Sequence, residues 1–204
     1  MKNMKKTHPY HHGNLRVELL QVAQKILLEK GVEKVTIREI AREIGVSHAA
    51  PQRHFRNRQD LLDSLAVQGF SQLEKVLKAG SLDSEVPLLE RLNNAALSFA
   101  HFAADNAALF ELMNSSKCCD DKLGVMKEAS ESAFSPILEL IISGQEQKII
   151  QPGNPLKIGL VLYATLLGIT TMVNGELIER DRLDDFVLDS MDHFLKGYRY
   201  WFVY

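Results

Sequence analysis

The stretch from Thr36 to Leu62 constrains this chain more than any other part of it. Thr36 is a predicted N-cap, and Glu39 three residues on has the spacing of a capping box. Ile37, Ile40, Ala41 and Ile44 recur at helical spacing and make a narrow apolar stripe. Gly45 stands where that helix must stop, at the position that favours a left-handed backbone. Val46 then plugs the corner and Ser47 is placed to cap the next helix. Ala41 is small where a second helix must cross close to the first. These features predict a helix-turn-helix, whose second helix enters a DNA major groove. The face left outside is His48, Ala49, Gln52 and Arg53 with His54 beside it, while Pro51 and Phe55 point back to a three-helix core. Two short helices around a Gly corner also occur in bundles that never touch DNA, so the charge pattern matters.

Residues 1–60 hold twelve Lys or Arg against six Asp or Glu, a surplus of six positive charges. The remainder holds twelve against twenty, which gives the formal net charge of −2. A basic head on an acidic body suits one end that meets phosphates and another that stays off them.

The Thr36–Leu62 stretch resembles the N-terminal domain of the TetR/AcrR family of bacterial transcriptional regulators. The matching residues are Thr36, Arg38, Ile40, Ala41, Gly45, Val46, Ser47, Phe55, Leu61 and Leu62. Gln52 stands where the family usually has Tyr, and Arg58 where it usually has Lys. The form of residues 47–55, Ser-His-Ala-Ala-Pro-Gln-Arg-His-Phe, is similar to a branch whose ligand domain carries a Trp-His-Gly signature. That signature falls at Tyr163, Leu167 and Gly168, and Gly168 alone matches it. The resemblance implies an all-α fold: an N-terminal arm and helix-turn-helix domain over residues 1–57, then a helical ligand-binding and dimerisation domain over 58–204. DNA contacts are then expected from Thr36, Arg38, Ser47, His48, Ala49, Gln52, Arg53, His54 and Arg58. Thr36, His54 and Arg58 are assigned to phosphates, whereas Gln52 is suited to an adenine edge.

Along the rest of the chain, a tail with Lys2, Lys5, Lys6, His8, His11 and His12 precedes a helix that opens at Gly13-Asn14 and ends at Gly31. A long helix is expected from Arg58, capped by Asn57, to about Ala79, with a linker over residues 80–84. Further helices are expected near 86–105, 106–114, 122–147, 154–177 and 182–201. Pro136 is expected to kink the third of these. The apolar run from Ile158 to Val173 is read as shorter than the ~20 residues of a membrane span. With so little polar face, it must be covered nearly all round. In the family the last two helices pair with their copies, which implies a homodimer here.

Phe99, Phe102, Phe110, Met113, Met126, Phe134, Leu138, Leu166 and Met172 are of the types that line adaptable cavities and also of the types that fill any helical core. The resemblance implies that some surround an apolar or amphipathic small-molecule effector, with Glu111, His101 and Thr170 as candidate polar fixers. Cys118-Cys119 reads as an ordinary pair of loop thiols. No metal-ligand spacing, phosphate loop or catalytic triad is present, so no cofactor and no enzymatic activity are implied. The leading function is a cytoplasmic repressor that binds a palindromic operator in double-stranded DNA and is released by a small molecule, with no membrane partner. The alternative is a nucleoid protein with the same head and no inducer.

Overall fold

The computed structural model describes residues 15–81, 85–115 and 123–198. The amino-terminal tail, the opening of the first helix at Gly13-Asn14, Cys118-Cys119 and Trp201 lie outside them. The described residues form nine α-helices and no extended strand, which bears out the all-α expectation. The chain divides into two compact units, residues 1–65 and 66–204.

The first unit packs α1 (Leu15–Lys30), α2 (Ile37–Ile44), α3 (Ala49–Gln52) and the opening of α4 (Arg58–Ser81). Leu19, Ala23, Ile26 and Leu27 of α1 meet Ile40 and Ala41 of α2, Phe55 and Leu61, all at 1% exposure or less. Gly31 ends α1 at φ 80°, ψ 167°, a region essentially reserved for glycine. A single 3-10 turn, Val32–Lys34, follows, and its Val35 is fully buried. The sequence offered no signal for that turn.

The second unit contains α5 (Leu88–Asp105), α6 (Ala107–Asn114), α7 (Leu123–Glu146), α8 (Pro155–Asn174) and α9 (Leu183–Tyr198), with the later turns of α4. Helix α5 lies at its centre, packed on α7, α8 and α9. Its buried Ala95, Ala96, Ala100 and Ala103 permit close approach, and Phe99 fills the space between them. Gly69 of α4 gives a second close approach: a Cβ there would lie 2.6 Å from the Met113 sulfur on α6. Helix α7 runs through Pro136. The ring has no N–H for the carbonyl of Ser132, and the Ser135 hydroxyl donates to that oxygen instead (3.0 Å).

Helix α8 corrects one expectation. Asn154 caps it by accepting from the Lys157 amide, Pro155 occupies its first turn, and it extends to Asn174. At 20 residues and mean hydropathy 1.8 it is long and apolar enough to cross a membrane, the one such helix among the described residues. Nor is it covered all round. Ile158, Leu162, Leu166, Ile169 and Val173 are buried, while Leu156 and Leu160 on the other side are 67% and 64% exposed.

Candidate nucleic-acid interface and ligand cleft

The turn between α2 and α3 is built from local bonds. The Thr36 hydroxyl oxygen accepts from the Glu39 amide at 3.1 Å and starts α2. The Glu39 carboxylate does not complete the expected capping box; it turns to Lys30 (3.4 Å) and to Arg42, bracing α2 against the end of α1. Burial alone would raise the Glu39 carboxyl, but the Lys30 hydrogen bond and the Arg42 charge outweigh it and hold it below the ordinary range. Gly45, at φ 79° and ψ 26°, donates to the carbonyls of Ala41 and Arg42, and Val46 donates again to Ala41. This left-handed closure stops α2 and redirects the chain.

Helix α3 has only four residues, shorter than the sequence suggested. Its N-cap position belongs to His48 rather than Ser47, and no side chain caps it; Ser47 contributes its carbonyl to the Ala50 amide. The coil is prolonged by Arg53, His54 and Phe55, whose amides donate back to Ala50 and Pro51. Pro51 and Phe55 are buried and Ala50 is half-buried, whereas Ser47, His48 and Ala49 and then Gln52, Arg53 and His54 are exposed. Arg38 is also exposed, on α2. Phe55 is held from above by the Arg16 guanidinium, 5.5 Å from its ring centroid. Arg16 also donates to Ser64 at 3.3 Å.

Arg58 has a task that sequence did not suggest. Its Nε donates to the Val35 carbonyl (2.9 Å) and its Nη2 to that of Val32 (2.6 Å), pinning the 3-10 turn ahead of α2. Two of its five N–H donors are thereby spent inside the unit. Asn57 caps α4 through the Asp60 amide at 2.9 Å, and Asp60 returns a bond to the Arg56 amide at 2.8 Å.

In the second unit a cleft of about 540 Å³ opens between α7, α8 and the end of α6. Ile137, Leu138, Leu156, Leu160 and Phe70 form its apolar walls, and Phe134 and Tyr163 its aromatic one. These two rings meet edge to face at 5.0 Å, and Phe99 lies against both at 6.2 and 5.8 Å. The polar lining is Asn114, Ser130, Glu131 and Ser135 with the Tyr163 hydroxyl, which donates to Asn114 Oδ1 at 2.6 Å. Burial pushes the Tyr163 phenol above its ordinary value, so it remains a neutral hydroxyl.

Of the residues expected around a ligand, Phe134 and Leu138 line this cleft, and Phe99 and Leu166 line a small void directly behind it. Phe110 packs edge to face on Phe99 at 5.4 Å, inside the core. The others are not brought there. His101 and Phe102 line a different groove, along α4 and α5. The His101 ring pairs with Asp184 at 2.8 Å and faces Arg180 at 3.3 Å. Met113 is buried against Gly69, Thr170 returns its hydroxyl to the Leu166 carbonyl, and Met126 is half-buried on α7 outside the cleft. Sequence reasoning had passed over Asn114, Ser130, Glu131 and Ser135. Only the helical phase of α7, which puts 131, 134, 135 and 138 on one face, offered a cue.

Comparison with known proteins bears on the first unit and on the fold. Residues 19–65 match the family profile described as bacterial regulatory proteins, tetR family. The HTH-type transcriptional repressor BepR of Brucella suis biovar 1 is 35% identical over 104 residues, 48% of this chain and 49% of that one. The chain thus aligns with about half the length of that repressor. A Rhodococcus sp. RHA1 protein of unknown function is 35% identical, with 95% of this chain and 100% of that chain covered at a TM-score of 0.85. A second Rhodococcus RHA1 structure, a bacterial regulatory protein in the tetR family, shares the fold at 14% identity, covering 92% and 98% at a TM-score of 0.73. The helix-turn-helix at Thr36–Phe55 lies inside the residues that match the family profile, and the repressor likeness agrees with it: the chain belongs to the tetR family of bacterial transcriptional regulators.

Proposed function

We propose that this chain is a cytoplasmic, homodimeric repressor that binds a palindromic operator and leaves it when a small molecule occupies the second unit, and that it is not an enzyme. The observation that carries the DNA half is the division of residues 47–55: Pro51 and Phe55 are buried while their neighbours face outward. Such a helix edge is free to enter a major groove. His48, Ala49, Gln52 and Arg53 are the proposed base-edge readers, with Arg38 and Ser47 beside them. Thr36, His54 and the unspent N–H groups of Arg58 are the proposed phosphate contacts; the Thr36 oxygen already accepts from Glu39, which leaves its O–H to donate. Residues 1–57 would read the DNA, and residues 58–204 would bind the ligand and dimerise.

The dimer reading is supported by apolar surface that no part of the described chain covers. Val161 and Met172 on α8 and Phe186 and Leu188 on α9, all outside the cleft, are 39% exposed or more, on two helices that pack together. A homodimer presents two heads, and an operator that both read carries half-sites about 34–36 Å apart. A ligand in the cleft acts only through its different affinity for the operator-bound and free states. Selection of bound duplexes from a random pool tests the reading: an inverted repeat is expected, and a pool that emerges without symmetry would overturn it.

A further inference from the structure

The cleft of the second unit offers a ligand almost nothing but acceptors. Its hydrogen-bond donors are already committed within the protein. The Ser130 hydroxyl donates to the Lys127 carbonyl at 2.8 Å, and the Ser135 hydroxyl to that of Ser132 at 3.0 Å. Tyr163 donates to Asn114 Oδ1 at 2.6 Å, and Asn114 donates one of its two N–H bonds to the Phe110 carbonyl at 2.8 Å. What remains towards the cleft is lone pairs, the second N–H of Asn114 and one carboxylate. That carboxylate, Glu131, is the one formally charged group in the lining among the described residues, and no described Lys, Arg or His lines the cleft. Lys127 lies one turn away from Glu131, its ammonium 3.8 Å from the carboxylate and exposed to water. Phe134 and Tyr163 share the lining with Glu131, and the other walls are mainly aliphatic.

An anion here would exchange its hydration for a single N–H and would face the Glu131 carboxylate, which is unfavourable. A neutral acceptor-rich molecule would find a single N–H. A cation with an apolar body meets a carboxylate, two aromatic rings and several lone pairs at one end, and Leu156, Leu160, Ile137 and Leu138 at the other. We infer that the effector of this cleft is a lipophilic cation, its positive group lodged between Glu131, Phe134 and Tyr163. This deepens, and rests on, the reading of the second unit as a ligand-binding domain.

Two ions of nearly the same shape and opposite charge separate the possibilities: tetraphenylphosphonium and tetraphenylborate. Each is titrated calorimetrically into the full-length protein without DNA. The phosphonium is expected to bind, and the borate at least about tenfold more weakly. Glu131→Gln, at a residue 65% exposed and outside the core, should weaken the phosphonium about three- to fivefold. Tyr163→Leu should weaken it about tenfold, whereas Tyr163→Phe, which keeps the ring, should retain most of the binding. Equal binding of both ions, binding indifferent to Glu131, or binding of neither ion because a second copy fills the cleft would each overturn the inference. Operator affinity is then measured with the phosphonium present. If the cation binds at Glu131 and DNA affinity does not change, the ligand class stands and the inducer reading fails.

Discussion

The two units carry their chemistry in opposite ways. In the first, one short coil, residues 47–55, turns its apolar members inward and its polar members outward, so the candidate interface is a contiguous piece of chain. In the second, the candidate site is a hollow. It exists only because Phe70, Asn114, Glu131, Phe134, Leu156 and Tyr163, from four helices, converge on it. The first site is held by a small set of fully buried groups and fails if any of them is lost. The second is lined by partly exposed groups, most of which can change without loss of the fold. A surface that reads a partner must be rigid behind, whereas a cleft that accepts a guest can stay adaptable.

The largest effect expected of this contrast comes from Phe55→Ala. It empties a site 1% exposed and removes the ring beneath Arg16, at a cost of about 3–5 kcal/mol. Denaturation should show the first unit melting early, with DNA binding lost while the second unit's transition stays in place. Next come the two left-handed glycines. Alanine at Gly31 or Gly45 meets no steric neighbour, yet the backbone conformation itself costs roughly 1–2 kcal/mol. Both variants should lower the melting temperature of the first unit. A smaller effect is expected from Arg58→Ala. It frees the carbonyls of Val32 and Val35 and removes a cation, so affinity for every duplex should fall alike and the salt slope should drop by about one. An unchanged slope would confine Arg58 to holding the turn.

The smallest effect is with pH. Glu39 titrates below its ordinary 4.5 in the folded chain, so its contribution is complete above that value and fades as pH falls through the lowered folded value. The first unit should therefore lose a little stability as pH falls through that range, and Glu39→Gln should flatten the pH dependence there. Tyr163→Phe is the counterpart in the second unit, with little change in stability, since it removes a single hydrogen bond to Asn114.

The contrast also explains what could be read from sequence. The helix-turn-helix was legible because its signals are local: Thr36, the apolar period through Ile44 and Gly45 act within one or two turns of chain. Where a distant residue intervened, local reasoning failed. Glu39 has capping-box spacing, but Lys30, on another helix, competes for its carboxylate. Arg58 reaches back 23 and 26 residues to carbonyls of a turn that no motif announces. In the second unit the helices themselves were legible from apolar periodicity. The choice among aromatic residues was not, because core and cavity draw on the same side chains. Met113 and Thr170 went to packing, and Glu131, a polar residue on a polar-looking face, came to line the cleft.

The central claim is that the outward edge of α3 reads bases. Its most direct test is to select duplexes from one random pool with the parent protein and with Gln52→Ala, at matched ionic strength. The account predicts inverted repeats from both, with the preference lost or altered at one symmetric pair of positions in the variant. Identical preferences from the two proteins would contradict it.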